Sequence, residues 1–318
     1  MIRTATRTVQ VSALGIVAML GAVACSPDGS TGTTPVVPRD TTPVVPVPLD
    51  VSAWVTATDG TIPLIIVAPH GGDLSPAELP DRTCAECVVA NDLYTRELAL
   101  AIETAFASRI GKRPFIVANR LHRRKFDANR AEVEATNNYA PLLPLWSLFH
   151  ARIDSAKARA TRLHPRALVI DLHGHAHAIQ RLELGYLLTG TRLRLADSLV
   201  APLVRSASSI ARLDSAAVSG DRGAALLRGP RALGSRFAAA GFPSVPSASD
   251  PAPGSSDPYF DGGYNTQRHG SLGGGNVDAI QVESHYTGVR EPSARAAFAE
   301  AFVTVMLQYL ADHYGWTP

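Results

Sequence analysis

Histidines that follow buried apolar runs, with carboxylates close by, are the residues of this chain whose types and spacing can do chemistry. His70 follows Leu64-Ile65-Ile66-Val67-Ala68 in Pro69-His70-Gly71-Gly72-Asp73, and His173 follows Leu168-Val169-Ile170 in Asp171-Leu172-His173-Gly174-His175. Neutral imidazole and carboxylate are the ligands of a catalytic zinc, which takes about three protein donors and keeps one position for water. His70 and His173 supply two of them. Asp73 is the expected third, because one local turn would present a nitrogen and an oxygen donor together; a turn or helix cap before Leu74-Ser75-Pro76 is its other use. Gly71, Gly72 and Gly174 are read as clearing space beside the ion. His175 and His177 share a loop with His173, and His175 is the nearer candidate for a supporting or substrate contact.

Glu283 ends Asp278-Ala279-Ile280-Gln281-Val282-Glu283, where the apolar positions predict a buried strand end. A buried carboxylate needs a cation, a hydrogen bond or a proton. Beside a zinc-bound water Glu283 reads as a general base; an ion pair with Arg290 is the structural alternative. Between Arg123 and Arg130 cations crowd together. Most such charges are solvated, but Arg130, next to Asn129 and Asp127, has the fork geometry that captures a carboxylate bidentately.

These residues need rigid elements behind them. Apolar runs near 64–69, 114–119, 167–172, 184–189 and 278–283 predict strands, and helix-length amphipathic stretches alternate with them, which argues for α/β layering around a mostly parallel sheet. Such sheets place ligand sites beyond the carboxyl ends of their strands. Helices are expected after the capping pair Asn91-Asp92, over Leu145 to Ala160, and at the C-terminus with Phe298, Phe302, Val305, Met306 and Tyr309 on one core-facing stripe. Residues 242–276, rich in proline, glycine, serine and aspartate, predict a loop over the site.

With 46% apolar residues in 318, the chain can bury a substantial core, and 30 basic against 28 acidic residues gives no reason to expect a nucleic-acid partner. Arg3 and Arg7 precede the apolar stretch Val11 to Val23, and Ala22-Val23-Ala24-Cys25 follows. This pattern predicts a lipoprotein-type signal peptide over 1–24, too short for a membrane span, with lipid on Cys25. An ordinary cleaved signal peptide is the alternative. Residues 25–50, with repeated proline among threonine and valine, predict an extended tether, and 51–318 a single α/β domain. The chain is therefore expected to be exported to the cell envelope, touching the membrane only through its lipid. Cys84-Ala85-Glu86-Cys87 suits redox chemistry, half a zinc site or a small disulfide loop; export favours the disulfide.

Taken together, the motifs resemble the N-formylglutamate amidohydrolase family, a branch of the zinc-carboxypeptidase-like hydrolases. Pro69-His70-Gly71-Gly72, Arg123 with Asp127-Ala128-Asn129-Arg130, Asp171-Leu172-His173, Gly220-Asp221-Arg222-Gly223, Gly262-Gly263-Tyr264 with Arg268-His269-Gly270, and Gln281-Val282-Glu283 occur in the family's order. The resemblance implies a phosphorylase/hydrolase-like α/β fold with a mixed sheet flanked by helices, and metal-assisted amide hydrolysis of a carboxylate-bearing small molecule or short peptide. By position it makes His70 and His173 metal ligands, Glu283 the catalytic carboxylate, and Asn129 and Arg130 contacts to the substrate carboxylate. Arg123 would steady the oxyanion, and Tyr264, Arg268 and His269 would close over the substrate. Related carboxypeptidases carry glutamate where this chain has Asp73, so Asp92 is the reserve third ligand. The family's named activity is intracellular, which makes an exported zinc carboxypeptidase or cell-wall peptide amidase the alternative enzyme. A tethered binding protein without turnover is the non-enzymatic one.

Overall fold

Runs without polar alternation become strands buried on both faces, and that pattern builds the centre of this molecule. The computed structural model describes residues 49–318. Strands β1 (Val55–Thr58), β2 (Leu64–Ala68), β3 (Phe115–Asn119), β4 (Ala167–Gly174), β5 (Leu182–Gly185), β6 (Ser244–Val245) and β7 (Val277–Ser284) form one sheet in the order β1-β3-β2-β4-β7-β5-β6. The four central strands are parallel, β1 is antiparallel to β3, and β5 is antiparallel to β7, so the sheet is mixed as expected.

Strand parity divides the core in two. Ile66, Ile170 and Ile280 face helices α1 (Thr95–Ile110) and α4 (Arg295–Tyr314), where Leu98, Ile102, Phe302 and Met306 are buried. Ile65, Val169 and Ala279 face helix α2 (Leu143–Leu163) through Leu145, Phe149 and Ile153. Asp171 and His173 on β4, and Gln281 and Glu283 on β7, share the parity of the second face. The parallel register sets His173 directly opposite Glu283. The site is thus a continuation of the α2-side core past the carboxyl ends of the strands.

Three expectations are corrected. Asn91 and Asp92 do not cap α1: its N-cap is Tyr94, at φ 65°, and the pair instead faces the strand ends, where Asn91 donates to the Gly72 carbonyl and accepts from the Arg123 amide. The strand expected at 184–189 ends at Gly185, because Leu187 turns the chain at φ 64°. Residues 242–276 are not all loop; they carry β6 and the short helix α3 (Tyr264–His269).

Cys84 and Cys87 form a disulfide with Cα atoms 5.2 Å apart. Cys25, the expected signal peptide and the tether up to residue 48 lie outside the described residues. Among the described residues, no helix is long and apolar enough to cross a membrane.

Candidate active site

His70 and His173 meet above the carboxyl ends of β2 and β4, ring centroids 4.8 Å apart and edge to face. Both aim Nδ1 at the same oxygen, Oδ2 of Asp92, at 3.3 Å from His70 and 3.0 Å from His173. Each Nε2 is held from behind by a different buried aspartate: Asp127 at 2.6 Å for His70 and Asp171 at 2.9 Å for His173. A carboxylate only accepts, so Asp127 and Asp171 favour the tautomer with the proton on Nε2, and a cation at the shared centre would then meet the two Nδ1 lone pairs; Asn129 Nδ2 also lies 3.3 Å from His173 Nε2. His70, Asp92 and His173 form one of two groups among the described residues that could hold a metal ion.

The donor set fits zinc. Four ligands at about 2.0–2.1 Å in a tetrahedron lie about 3.3 Å from one another, close to the spacings found here. A carboxylate behind each imidazole is the usual outer support of a ligating histidine. The charges agree: burial alone would push the His173 imidazolium down, yet Asp171, Asp92 and Glu283 outweigh it and hold that proton well above the ordinary histidine range. Surroundings that retain a proton so firmly favour a bound cation. Burial would raise Asp92 and Asp127, but the imidazole of His70, with His173 or Arg123 beside it, keeps both carboxyls well below the usual range.

Asp73 is exposed and stands outside this group. The chain after Gly72 runs extended, Leu74 pairs with Leu121 and packs inward, and alternation turns Asp73 to solvent. The carboxylate that the structure brings to the two histidines is that of Asp92, the reserve candidate. Gly72 and Gly174 are needed against protein rather than beside an ion: a Cβ there would sit 2.3 Å from the Arg120 carbonyl carbon and 2.3 Å from the Arg290 guanidinium carbon respectively.

Glu283 lies across from the histidines, Oε1 4.0 Å from His173 Nδ1. Gln281 Nε2 donates to that Oε1 at 2.9 Å, while Glu283 Oε2 and Gln281 Oε1 are buried with no hydrogen-bond partner among the described residues. Burial pushes the Glu283 carboxyl up to about 8, against the pull of His173. Arg290 is not its partner, since that guanidinium donates to the carbonyls of Ser284, Leu93 and His175.

Arg123 forks between Asp127 Oδ2 at 2.9 Å and Asp92 Oδ1 at 3.4 Å. Asn129 takes its backbone amide to Asp127 and accepts the Asn265 amide on its carboxamide, tying α3 to the site. Arg130 donates to Glu134 and to the Asn129 carbonyl, leaving one terminal nitrogen without a hydrogen bond among the described residues. A cavity of about 160 Å³ joins His70, His173, Asn129, Arg130, Gln281 and Glu283.

Tyr264, Arg268 and His269 are not among the residues lining that cavity. α3 turns them towards α2: His269 is fully buried against His150 at 3.0 Å, Arg268 lies over the Trp146 ring, and Tyr264 packs edge-on to His150. His175 is likewise structural, one ring nitrogen donating to the Arg181 carbonyl and the other accepting the His177 amide. The residues to which sequence reasoning gave no role of their own are Asp127, Asp171 and Gln281. Asp171 and Gln281 carried a signal, a polar side chain between apolar neighbours in a buried strand.

The chain is similar in structure to the N-formylglutamate amidohydrolase of Ralstonia eutropha JMP134, with 12% identity and a TM-score of 0.51 over 82% of this chain and 98% of that one. A gene product of Agrobacterium tumefaciens aligns at 14% identity with a TM-score of 0.49, over 81% and 95%. No protein-family model and no curated protein matches the chain. The first likeness is one of fold, and it is the mixed α/β fold that the motifs led us to expect.

Proposed function

We propose that the protein is a zinc-dependent amidohydrolase acting on a carboxylate-bearing N-acyl or N-formyl amino acid. The observation that carries this reading is the convergence of His70 Nδ1, His173 Nδ1 and Asp92 Oδ2 on one point, with the unpartnered Glu283 Oε2 lining the same cavity. His70, Asp92 and His173 would hold the ion, which when bound supplies Lewis acidity to the scissile carbonyl and acidifies water.

The chain's own residues do the rest. Glu283 Oε2 takes the proton of the attacking water and delivers it to the departing amine nitrogen. Gln281 fixes the other carboxylate oxygen, so that the free one is the reactive one. Arg123, at the rim of the cavity, is placed to donate to the carbonyl oxygen as charge builds on it. The spare nitrogen of Arg130 is placed for the substrate carboxylate.

Purified full-length protein tests the reading. It should contain close to one zinc per chain and hydrolyse N-acyl amino acids in a way that a chelator abolishes and added zinc restores. Hydrolysis that survives complete metal removal would overturn it. Export and anchoring through lipid on Cys25 belong to the same proposal, and they rest on the N-terminal sequence pattern alone.

A further inference from the structure

The cavity over Glu283 does not end there. It shares Val88, Asp92, Arg123, Gly174 and Phe260 with a second, outer chamber of about 560 Å³. The walls of the outer chamber include Val88, Leu93, Phe260 and Tyr286, large apolar side chains that are 48%, 57%, 44% and 39% exposed. Single exposed apolar residues are ordinary, but four around one opening that leads to a candidate active site form a patch that wants a ligand.

The cations of this chamber are tied to the protein at its inner wall. Arg290 gives its guanidinium to three backbone carbonyls, and Arg123, on the seam with the inner cavity, pairs with Asp92 and Asp127 through Nε and one terminal nitrogen. His177 is the polar exception. Its Nδ1 is bound at 2.8 Å to Glu183, a fully buried carboxylate on β5 whose other oxygen accepts the Phe260 amide. Its ring stacks on Phe260 with centroids 4.8 Å apart, and its Nε2 makes no hydrogen bond among the described residues. Glu183 therefore positions both the aromatic wall and one imidazole nitrogen beside it.

We infer that the outer chamber binds an uncharged apolar or aromatic acyl group on the scissile nitrogen, with His177 Nε2 hydrogen-bonding a polar atom of that group. This rests on the amidohydrolase reading and narrows its substrate class. With the carboxylate of the substrate at Arg130 in the inner cavity and the scissile bond at the Asp92–Arg123 seam, the acyl group points outward. A formyl group has only a hydrogen there and would leave the apolar walls wet.

The test compares N-formyl-, N-acetyl- and N-phenylacetyl-glutamate on the zinc-loaded full chain. Burying a phenyl ring predicts a kcat/KM about 10–100-fold higher for the phenylacetyl than for the formyl compound. The Phe260→Ala/Tyr286→Ala double variant should cut that ratio about tenfold, whatever it does to the absolute rates. Calorimetric binding of the same compounds to the Glu283→Gln variant separates this inference from its premise. Preferential binding of the phenylacetyl compound without any hydrolysis by the unmodified protein would sink the amidohydrolase reading and keep the chamber. Hydrolysis with no acyl preference, or absence of preferential phenylacetyl binding, would overturn the inference itself.

Discussion

His70, just past the end of β2, and His173, on β4, share a single acceptor: the Oδ2 atom of Asp92 stands 3.3 Å from one Nδ1 and 3.0 Å from the other. Each ring is fixed from behind by its own buried aspartate, so neither can rotate away without breaking a hydrogen bond. Rigid donors facing one point make a site that a small cation can enter with little rearrangement, and the consequences are measurable.

Removing the base should separate chemistry from binding. Glu283→Gln keeps the shape and the hydrogen bond to Gln281 but cannot accept a proton, so kcat should fall by about 10²–10⁴-fold while zinc content is unchanged. Kinetics on a variant of verified metal content decides it; a rate within a few-fold of the parent removes Glu283 from the mechanism.

The third ligand is open to a paired comparison. Asp92→Ala should leave the protein essentially without zinc after dialysis, whereas Asp73→Ala, at an exposed position, should retain it in full. The opposite pattern, read by elemental analysis, would return the ligand to Asp73.

The supports behind the rings matter too. Asp171 accepts from His173 Nε2 and from Asn265 Nδ2 at 3.1 Å. Asp171→Asn should weaken zinc binding by about 10–100-fold, measured by competition with a chelator of known affinity. Unchanged affinity would mean that His173 is positioned by packing alone.

A pH effect is expected well away from the site. Burial, with the imidazole of His269 beside it, pushes His150 down to about 3, so the native state binds its proton only in strong acid whereas the unfolded chain binds one near the ordinary histidine value of 6.5. Between these limits the unfolded state holds more protons, and stability is present above pH 6.5 and lost as pH falls towards 3. His150 alone should cost about 2 kcal/mol at pH 5 relative to pH 7. Urea titrations of His150→Gln should show a smaller pH 5-to-7 difference than the parent by about that amount. An equal difference in the two proteins would contradict the assignment.

The export proposal has its own readout. Cys25→Ser should abolish incorporation of radiolabelled palmitate and release the protein from the membrane fraction of an expressing bacterium. Label retained by the variant would place the lipid elsewhere or remove it from the account.

Sequence reasoning reached the central strands β2, β3, β4 and β7 and singled out His70, His173 and Glu283 at or just past their ends, because these are local facts, while the short strands β1 and β6 and the true end of β5 escaped it. An unbroken apolar run can only be a buried element, and a polar residue that ends it must have a partner. The mixed sheet and its flanking helices followed from alternation of such runs with amphipathic stretches. What local pattern could not supply was which distant side chains meet. Asp73 is near His70 along the chain, but extended backbone pairing with Leu121 turns it outward, while Asp92 is delivered by the turn before α1. The same holds for Tyr264, Arg268 and His269, whose side of α3 is set by the aromatic surface of α2 that their positions alone do not reveal. Spacing in a sequence measures contour length, and a metal site is set by through-space distances of a few ångströms that only the packed sheet and its returning loops establish.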